Sequence, residues 1–301
     1  MDAPQGGRAD PQFGVFLTPS AADHAQVVAQ AMSAERIGLE LVGIQDHPYQ
    51  RRFLDAFALI ADLLARTERV RMFPDVANLP LRGPVMIAKA AASLDVMSGG
   101  RFELGLGAGT FWDAVAGMGG PRRRAGVSID ALVEAVRIVR AALDGERVVR
   151  GDGPHYPVPG YPPGPPPAHR VEIWIGAYRP RGLDLIGRLA DGWVPSLAYA
   201  GPTALREAGA RIDEAAAAAG RDPGSIRRIL NLSGAITEGP MGEGPLVGPV
   251  DLWIDRLTEW TVELGLDAFL LAPAEMGTHD IERFGGEVAP AVRAAVARAR
   301  G

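Results

Sequence analysis

The chain has 301 residues, 47% of them hydrophobic, and a formal net charge of −5 at pH 7. This charge disfavours binding to nucleic acid or to anionic membranes, and the absence of cysteine excludes disulfides, thiolate zinc sites and a cysteine nucleophile. No apolar run approaches the roughly 20 residues of a membrane span, and residues 1–12 lack the apolar core of a signal peptide. We therefore expect a soluble cytoplasmic protein that binds small molecules and has no nucleic-acid or membrane partner.

Residues 1–12 are polar and rich in Gly, Pro and Asp, and we expect them to be flexible. After them, apolar runs typical of buried strands alternate with segments of helical periodicity. The predicted strands are residues 13–17, 41–45, 70–74, 101–106, 171–176, 192–195, 228–236 and 268–271. The predicted helices are residues 23–37, 53–66, 84–97, 128–143, 180–190, 202–219 and 250–264, and the tail from Ile281.

Strands that alternate with helices are typical of parallel βαβ units, and eight such units close an α/β fold of the (β/α)8 TIM barrel type. An open, doubly wound sheet is compatible with the same pattern. Two stretches rich in Gly and Pro, residues 145–170 and 238–248, interrupt the alternation. Because it resumes directly after each, we interpret them as insertions in a single domain over residues 13–301, and we expect them to shape the substrate pocket.

The strand predicted at residues 41–45 ends in Asp46 and His47, which Pro48 follows. Carboxyl ends of parallel strands carry the chemistry of β/α folds, and an imidazole exchanges protons near neutral pH. Successive strand residues point to opposite faces, so the two side chains share a pocket only if the strand ends before them, which Pro48 favours. We predict that His47 is catalytic and that Asp46 tunes it. The alternative is a polar pair that satisfies backbone groups in a turn.

Glycines alternate at Gly105, Gly107 and Gly109, with Ala108 between them and Thr110 after them. This spacing differs from the dinucleotide-binding fingerprint, and no acidic residue follows at the position that would contact a ribose. The glycines either let the backbone approach a cofactor closely or form a tight exit from the strand.

A second candidate segment consists of Gly176, Ala177, Tyr178 and Arg179, directly before the helix that begins near Pro180. Amides at a helix start, together with arginine, favour a phosphate site. The alternative is a solvated loop with surface arginines.

Residues Val76, Ala77 and Asn78 leave the third predicted strand and suit a bulge that faces a ligand, and Trp193 is placed to wall a pocket. The remaining histidines show no metal-ligand spacing, and the sequence contains no His-Glu-x-x-His motif, nucleophile elbow or P-loop. We therefore predict no metal site.

Five segments in this order resemble the bacterial-luciferase-like oxidoreductase superfamily: GIQDH at residues 43–47, LPLRGP at 79–84, SGGRFELGLGAG at 98–109, IWIGA at 173–177 and ADGWVP at 190–195. The resemblance covers about residues 13–271. It implies a (β/α)8 barrel with an insertion, often a homodimer, that holds a flavin or deazaflavin at its carboxyl rim. It also implies a non-proline cis peptide near Asp75–Val76 and a cofactor phosphate at residues 176–179.

The Asp46–His47 pair resembles the deazaflavin-dependent branch, whereas FMN-using relatives more often carry a Glu-His pair. The resemblance thus implies hydride transfer between the deazaflavin coenzyme F-420 (F420) and a small organic substrate, with His47 beside the reacting carbon. Thr110 stands where sugar-phosphate dehydrogenases of this branch carry a Glu, which disfavours glucose 6-phosphate. The cofactor-binding residues predicted from these segments and from the resemblance are Asp75, Val76, Ala77, Asn78, Gly107, Ala108, Gly109, Thr110, Gly176, Ala177, Tyr178, Arg179 and Trp193.

Two alternatives fit the same barrel. One is a monooxygenase that uses reduced FMN and molecular oxygen, with a flavin reductase as its partner. The other is a flavin-binding barrel without catalytic activity.

Overall fold

The computed structural model describes residues 10–274 and 277–301. Residues 1–9, which belong to the segment expected to be flexible, lie outside the described residues. The strands are β1 Gln12–Leu17, β2 Leu41–Ile44, β3 Arg71–Pro74, β4 Ala77–Asn78, β5 Leu104–Gly107, β6 Val149–Gly151, β7 Val158–Tyr161, β8 Ile173–Gly176, β9 Gly192–Trp193, β10 Arg227–Ser233, β11 Ala235–Ile236, β12 Val247–Gly248 and β13 Ala268–Ala272. The helices are α1 His24–Arg36, α2 Ala56–Arg66, α3 Pro84–Ser98, α4 Trp112–Gly117, α5 Ala125–Leu143, α6 Pro180–Leu189, α7 Pro202–Ala218, α8 Val250–Glu263, α9 His279–Arg283 and α10 Ala289–Arg300.

Nine parallel strands form one sheet in the order β3-β2-β1-β13-β10-β9-β8-β5-β4. A parallel bridge between Met72 and Phe102 joins the β3 edge to the chain that enters β5. The short strand β4 pairs with β5 and continues the position of β3 after an interruption at residues 75–76. The sheet therefore curls into a barrel of eight strand positions, which confirms the TIM barrel prediction over the open sheet.

The inside of the barrel is filled by apolar side chains from strands that are distant in sequence. Phe73 and Trp174 meet edge to face with ring centroids 4.7 Å apart. The other members of this inner cluster are Leu41, Val194, Ile229, Ala268 and Leu270. Because these strands are covered on both faces, their sequences are apolar runs without alternation, which is why they could be predicted.

Charged and polar side chains close the amino-terminal end of the barrel. Arg71 donates to Glu103 Oε1 at 2.9 Å and to Gln12 Oε1 at 2.8 Å. Arg227 donates to the same Gln12 oxygen at 2.8 Å and pairs with Glu172 at 3.2 Å. This network leaves the carboxyl end as the open mouth of the barrel.

The segment at residues 145–170 forms an antiparallel hairpin, β6 with β7, outside the barrel. Asp95 of α3 anchors its return by accepting hydrogen bonds from the backbone amides of Ala168 and His169. Glu134 of α5 accepts from the amides of His155 and Tyr156, each at 3.0 Å. The insertion is therefore packed against two outer helices.

The predicted strand at residues 228–236 is wrong as a single element, because the chain divides into β10 and β11 at Gly234. A Cβ at Gly234 would lie 2.1 Å from the carbonyl oxygen of Leu246, so the backbone of the second insertion packs directly on this glycine. The end of that insertion, β12, pairs in parallel with β11 as a separate two-stranded sheet.

Candidate active site

A cavity of about 900 Å³ opens at the carboxyl ends of the strands, near the upper end of the range of about 300–1,000 Å³ for small-molecule sites. The predicted residues that line it are Asp46, His47, Asp75, Val76, Ala77, Asn78, Gly107, Ala108, Gly109, Thr110, Gly176, Tyr178, Arg179 and Trp193. The predicted residue Ala177 does not line it. Ala177 is buried behind the wall, where its carbonyl oxygen accepts a 2.9 Å hydrogen bond from Trp193 Nε1.

Several lining residues were missed from the sequence. They are Phe16, Gln45, Phe111, Val194, Ser196, Ala198, Tyr199, Ala200, Ala204, Ala208, Asn231, Leu232, Ser233 and Ala272. Phe16, Ser233 and Ala272, at the ends of β1, β10 and β13, could have been found from their position alone. The insertions at residues 145–170 and 238–248 contribute no lining residue, so the expectation that they shape the pocket is wrong. The segment between β9 and the first turns of α7 forms that wall instead.

His47 reaches the cavity because β2 ends at Ile44, before the Asp-His pair. The side-chain amide nitrogen of Gln45 lies 3.1 Å from His47 Nδ1. Since an amide NH2 group only donates, Nδ1 accepts and Nε2 carries the hydrogen of a neutral ring. Burial lowers the pKa of His47, which favours this neutral form.

Two aromatic rings pack against this imidazole. Tyr49 stacks on His47 with ring centroids 5.5 Å apart, and Phe111 meets His47 edge-on at 5.8 Å. Burial, with a contribution from the charge of Asp46, raises the pKa of Tyr49 to about 12, so its hydroxyl stays protonated. Phe111 adopts a φ of 51° and is 58% exposed at the cavity mouth. Because Tyr49 and Phe111 also contact each other at 5.8 Å, the three rings form one cluster on one side of the opening.

Asp46 is buried, and its carboxylate contacts the backbone and not His47. Its Oδ2 accepts a 2.8 Å hydrogen bond from the amide of Asn78. Burial raises the pKa of Asp46, and the Asn78 amide and the charge of Arg82 oppose that rise. Asp46 therefore ties the end of β2 to β4, and its predicted influence on His47 stays a prediction.

Glycines of β5 face the chain segment that separates β3 from β4. The peptide bond between Asp75 and Val76 is cis, as the resemblance implies. A Cβ at Gly105 would lie 2.2 Å from the carbonyl oxygen of Pro74, and one at Gly107 would lie 2.7 Å from Val76 Cγ2. These glycines make room for the bulge. Gly105 lies inside β5 and not at its exit, and Gly107 lines the cavity, so the close approach of a cofactor to this backbone stays a prediction.

The segment predicted to bind phosphate contributes a side-chain cation to the cavity. Arg179 is exposed, lines the cavity and makes no ion pair with any described residue. The helix-start amides of Gly182 and Leu183 both donate to the Arg179 carbonyl oxygen, and Arg181 pairs with Asp130. Anion binding here would therefore depend on the Arg179 guanidinium more than on the helix amides.

Asp75 and Asn231 lie at the floor of the cavity, and both are buried. Burial raises the pKa of Asp75 to about 7, although the side chain of Asn231 lowers it in part. Only the family resemblance indicated Asp75 as a site residue, and no sequence signal indicated Asn231.

Within residues 10–274 and 277–301, no group of three His, Asp or Glu side chains is arranged to hold a metal ion. None of the helices described in those ranges has both the length and the apolar character required to cross a bilayer.

Comparison with curated proteins identifies relatives that share part of the chain. An uncharacterised protein of Mycobacterium tuberculosis is 30% identical over 187 residues, which cover 62% of each chain. The F420-dependent glucose-6-phosphate dehydrogenase of Nocardia farcinica is 30% identical over 69% of this chain and 63% of its own. The 5,10-methylenetetrahydromethanopterin reductase of Archaeoglobus fulgidus is 28% identical over 70% and 60%. The chain thus spans less than two thirds of the length of these relatives.

Solved structures share the fold at low sequence identity. An F420-dependent secondary alcohol dehydrogenase superposes with a TM-score of 0.83 at 21% identity, over 94% of this chain and 99% of that chain. An FMN complex of the oxygenating constituent of 3,6-diketocamphane monooxygenase from Pseudomonas putida gives a TM-score of 0.76 at 18% identity, over 94% and 98%. The family model described as luciferase-like monooxygenase matches residues 9–240. The chain therefore belongs to the luciferase-like monooxygenase family, whose members include F420-dependent oxidoreductases and FMN-dependent monooxygenases.

Proposed function

We propose that the protein is an oxidoreductase that transfers a hydride between coenzyme F-420 and a small organic substrate. The observation that carries this proposal is that the neutral imidazole of His47 and the guanidinium of Arg179 line one cavity of about 900 Å³. F420-dependent enzymes among its relatives support the same choice.

The cavity has the features that a ring cofactor with a phosphorylated tail requires. Val76 and Trp193 provide apolar walls on which a planar ring can pack. Asp75 Oδ2 and Asn231 Oδ1 are buried without a hydrogen-bond partner among the described residues, so the floor has unused polar atoms that a ring edge could satisfy. Arg179 at the mouth is available to a phosphate.

His47 would orient the substrate against the ring. When bound, the coenzyme supplies hydride transfer. The Nε2–H of a neutral His47 can donate a hydrogen bond to a carbonyl oxygen, which holds the carbonyl carbon in position and polarises it. The rings of Tyr49 and Phe111 limit access of water to that imidazole.

A fluorescence titration with coenzyme F-420 and FMN, side by side, tests the cofactor assignment. We expect tight binding of F-420 and binding of FMN at least tenfold weaker. Preference for FMN, with oxygen consumed during turnover and a flavin reductase required, would instead support a monooxygenase, the activity for which the family model is named. Tight binding of either ring without turnover under any reductant would support a non-catalytic flavin-binding barrel, and binding of neither would refute the proposal.

We also propose that the protein is a cytoplasmic homodimer. Helix α3 exposes Met86, Val96 and Met97, at 62%, 45% and 71% of their surface, and these apolar side chains suit a contact between two copies. Light scattering of the purified protein measures its mass directly. A monomer at micromolar concentration would refute the dimer.

A further inference from the structure

We propose that Asp75 and Asn231 form a hydrogen-bonding subsite on the cavity floor, which takes an N–H or O–H donor of the bound molecule, and that Asp75 loses a proton when this donor binds. The inference rests on the proposed function, because the donor belongs either to the ring of the cofactor or to the substrate. The subsite adds Asp75 as a second titrating group to a pocket in which His47 is expected to titrate.

The position of Asp75 is set by strands that surround it. Its backbone amide donates to the carbonyl oxygen of Ile44 at 2.7 Å, and its side chain is 9% exposed. A Cβ at Gly43 would lie 2.9 Å from Asp75 Oδ2 and 3.0 Å from Leu270 Cδ2. The carboxyl group therefore lies directly over a glycine of β2, beside β13, in a space that another residue at position 43 would take.

Two buried oxygens of the subsite have no donor. Neither Asp75 Oδ2 nor Asn231 Oδ1 has a hydrogen-bond partner among the described residues. The amide nitrogen of Asn231 lies 3.4 Å from Ser196 Oγ, and the Asn231 side chain also interacts with the Asp75 carboxyl group, whose pKa it lowers in part. A buried acceptor without a donor is unfavourable, and an amide oxygen can only accept. The subsite therefore fits a group that donates.

The other titratable groups of the cavity have different partners. Asp46 accepts from the amide of Asn78, and the hydroxyl of Tyr178 accepts from the amide of Ser196 at 2.8 Å. Burial raises the pKa of Tyr178, and the charge of Asp75 adds to that rise. His47, Arg179 and Tyr199 complete the titratable lining. Asp75 is thus the carboxyl group of this lining with a pKa of about 7. A hydrogen-bond donor that lowers this pKa therefore changes the protonation state of Asp75 at neutral pH.

The sign of the pH dependence follows from the donor. A hydrogen bond from N–H or O–H stabilises the carboxylate, so binding lowers the pKa of Asp75 and releases its proton. Affinity should therefore increase with pH, by up to tenfold per unit, until the pH reaches the pKa of the free protein near 7, and then level off.

The test compares wild-type protein with Asp75→Asn and Asn231→Leu. Asn at position 75 keeps a hydrogen-bond acceptor but cannot titrate. Leu at position 231 is similar in size to Asn and removes the acceptor oxygen. The ligands are coenzyme F-420, FMN and FMN methylated at its imide nitrogen, which lacks that N–H donor and shares the phosphate. Binding is followed by fluorescence from pH 5 to pH 8.5.

We expect wild-type affinity for the unmethylated ring to increase at least tenfold from pH 5 to pH 7. The increase should be lost in Asp75→Asn, lost for methylated FMN, and retained with weaker binding in Asn231→Leu. If ring binding shows no Asp75-dependent pH profile but the KM for a series of alcohols does, the donor is a substrate hydroxyl. If neither profile depends on Asp75, the subsite is refuted while the proposed function stands. If no ring binds to wild-type protein, the proposed function fails first.

Discussion

Replacing Asp75 with Asn should stabilise the protein at alkaline pH, since Asp75 is a buried carboxyl group and no cation among the described residues balances its charge. Its pKa is raised from 3.8 to about 7, mainly by burial. A shift of about 3 units corresponds to about 4 kcal/mol between the ionised and neutral forms, at about 1.4 kcal/mol per unit. The Asn side chain has a similar shape and carries no charge, so it avoids this cost.

The window of the effect follows from the direction of the shift. Below pH 4 the carboxyl group is protonated in both the folded and the unfolded chain, so the two proteins should be equally stable. Between about pH 4 and about pH 7 the unfolded chain ionises while the folded chain retains the proton, and wild-type stability falls as the pH rises. Above pH 7 the advantage of Asp75→Asn should reach its full size, about 4 kcal/mol.

Urea unfolding of the ligand-free proteins at pH 4.5, 6 and 8.5 measures this difference. With an m value of about 3 kcal/mol per molar, the midpoint at pH 8.5 should move up by about 1 M. Asp113→Asn is a suitable control, because Asp113 is 86% exposed and should give no comparable trend. An equal difference between wild type and Asp75→Asn at all three pH values would show that Asp75 does not titrate as a buried acid.

Three other substitutions address separate parts of the molecule. His47→Ala should reduce turnover at least a hundredfold with cofactor affinity within a few-fold of wild type, and unchanged turnover would refute its role. Arg179→Ala should weaken FMN binding by about tenfold and leave riboflavin, which has no phosphate, unaffected; equal losses for both would refute the phosphate contact. Burial raises the pKa of Glu35, but hydrogen bonds from the amides of residues 68–70 outweigh it and lower that pKa. Glu35→Gln should therefore cost about 2 kcal/mol in urea unfolding at pH 7 and less as the pH falls through the lowered pKa; the same cost at pH 3.5 would contradict this.

Strand ends were the most predictable part of the site. His47 was found because an apolar run ended in a polar pair before a proline, and β2 does end before that pair. Arg179 was found because it precedes a helix at the end of a strand, and it does line the cavity. Both inferences use only the direction of parallel strands, which the alternation of elements already determines.

Residues brought in by packing between distant strands were not predictable. Asn231 lies within β10, and the sequence of that strand does not show which of its side chains face the inside of the barrel. Only the closed barrel shows that Asn231 lines the cavity. Helix α4, at Trp112–Gly117, was missed because six residues between glycine-rich turns are too short for a helical period to be recognised. The lining residues between Ser196 and Ala208 are mostly alanines, which form no recognisable motif, so the sequence gave no sign of their binding role.

The glycines of the barrel connect these two kinds of residue. Gly43 provides the space for the carboxyl group of Asp75, and Gly107 provides the space for Val76. Asp75 and Val76 form the segment between β3 and β4. The sequence shows that β2 and β5 lack side chains at these glycines. It does not show that the side chains that fill the space come from residues 75–76. The cavity floor is therefore specified jointly by residues about 30 positions apart, and a substitution at either glycine should act on Asp75 or Val76 before it acts on a ligand.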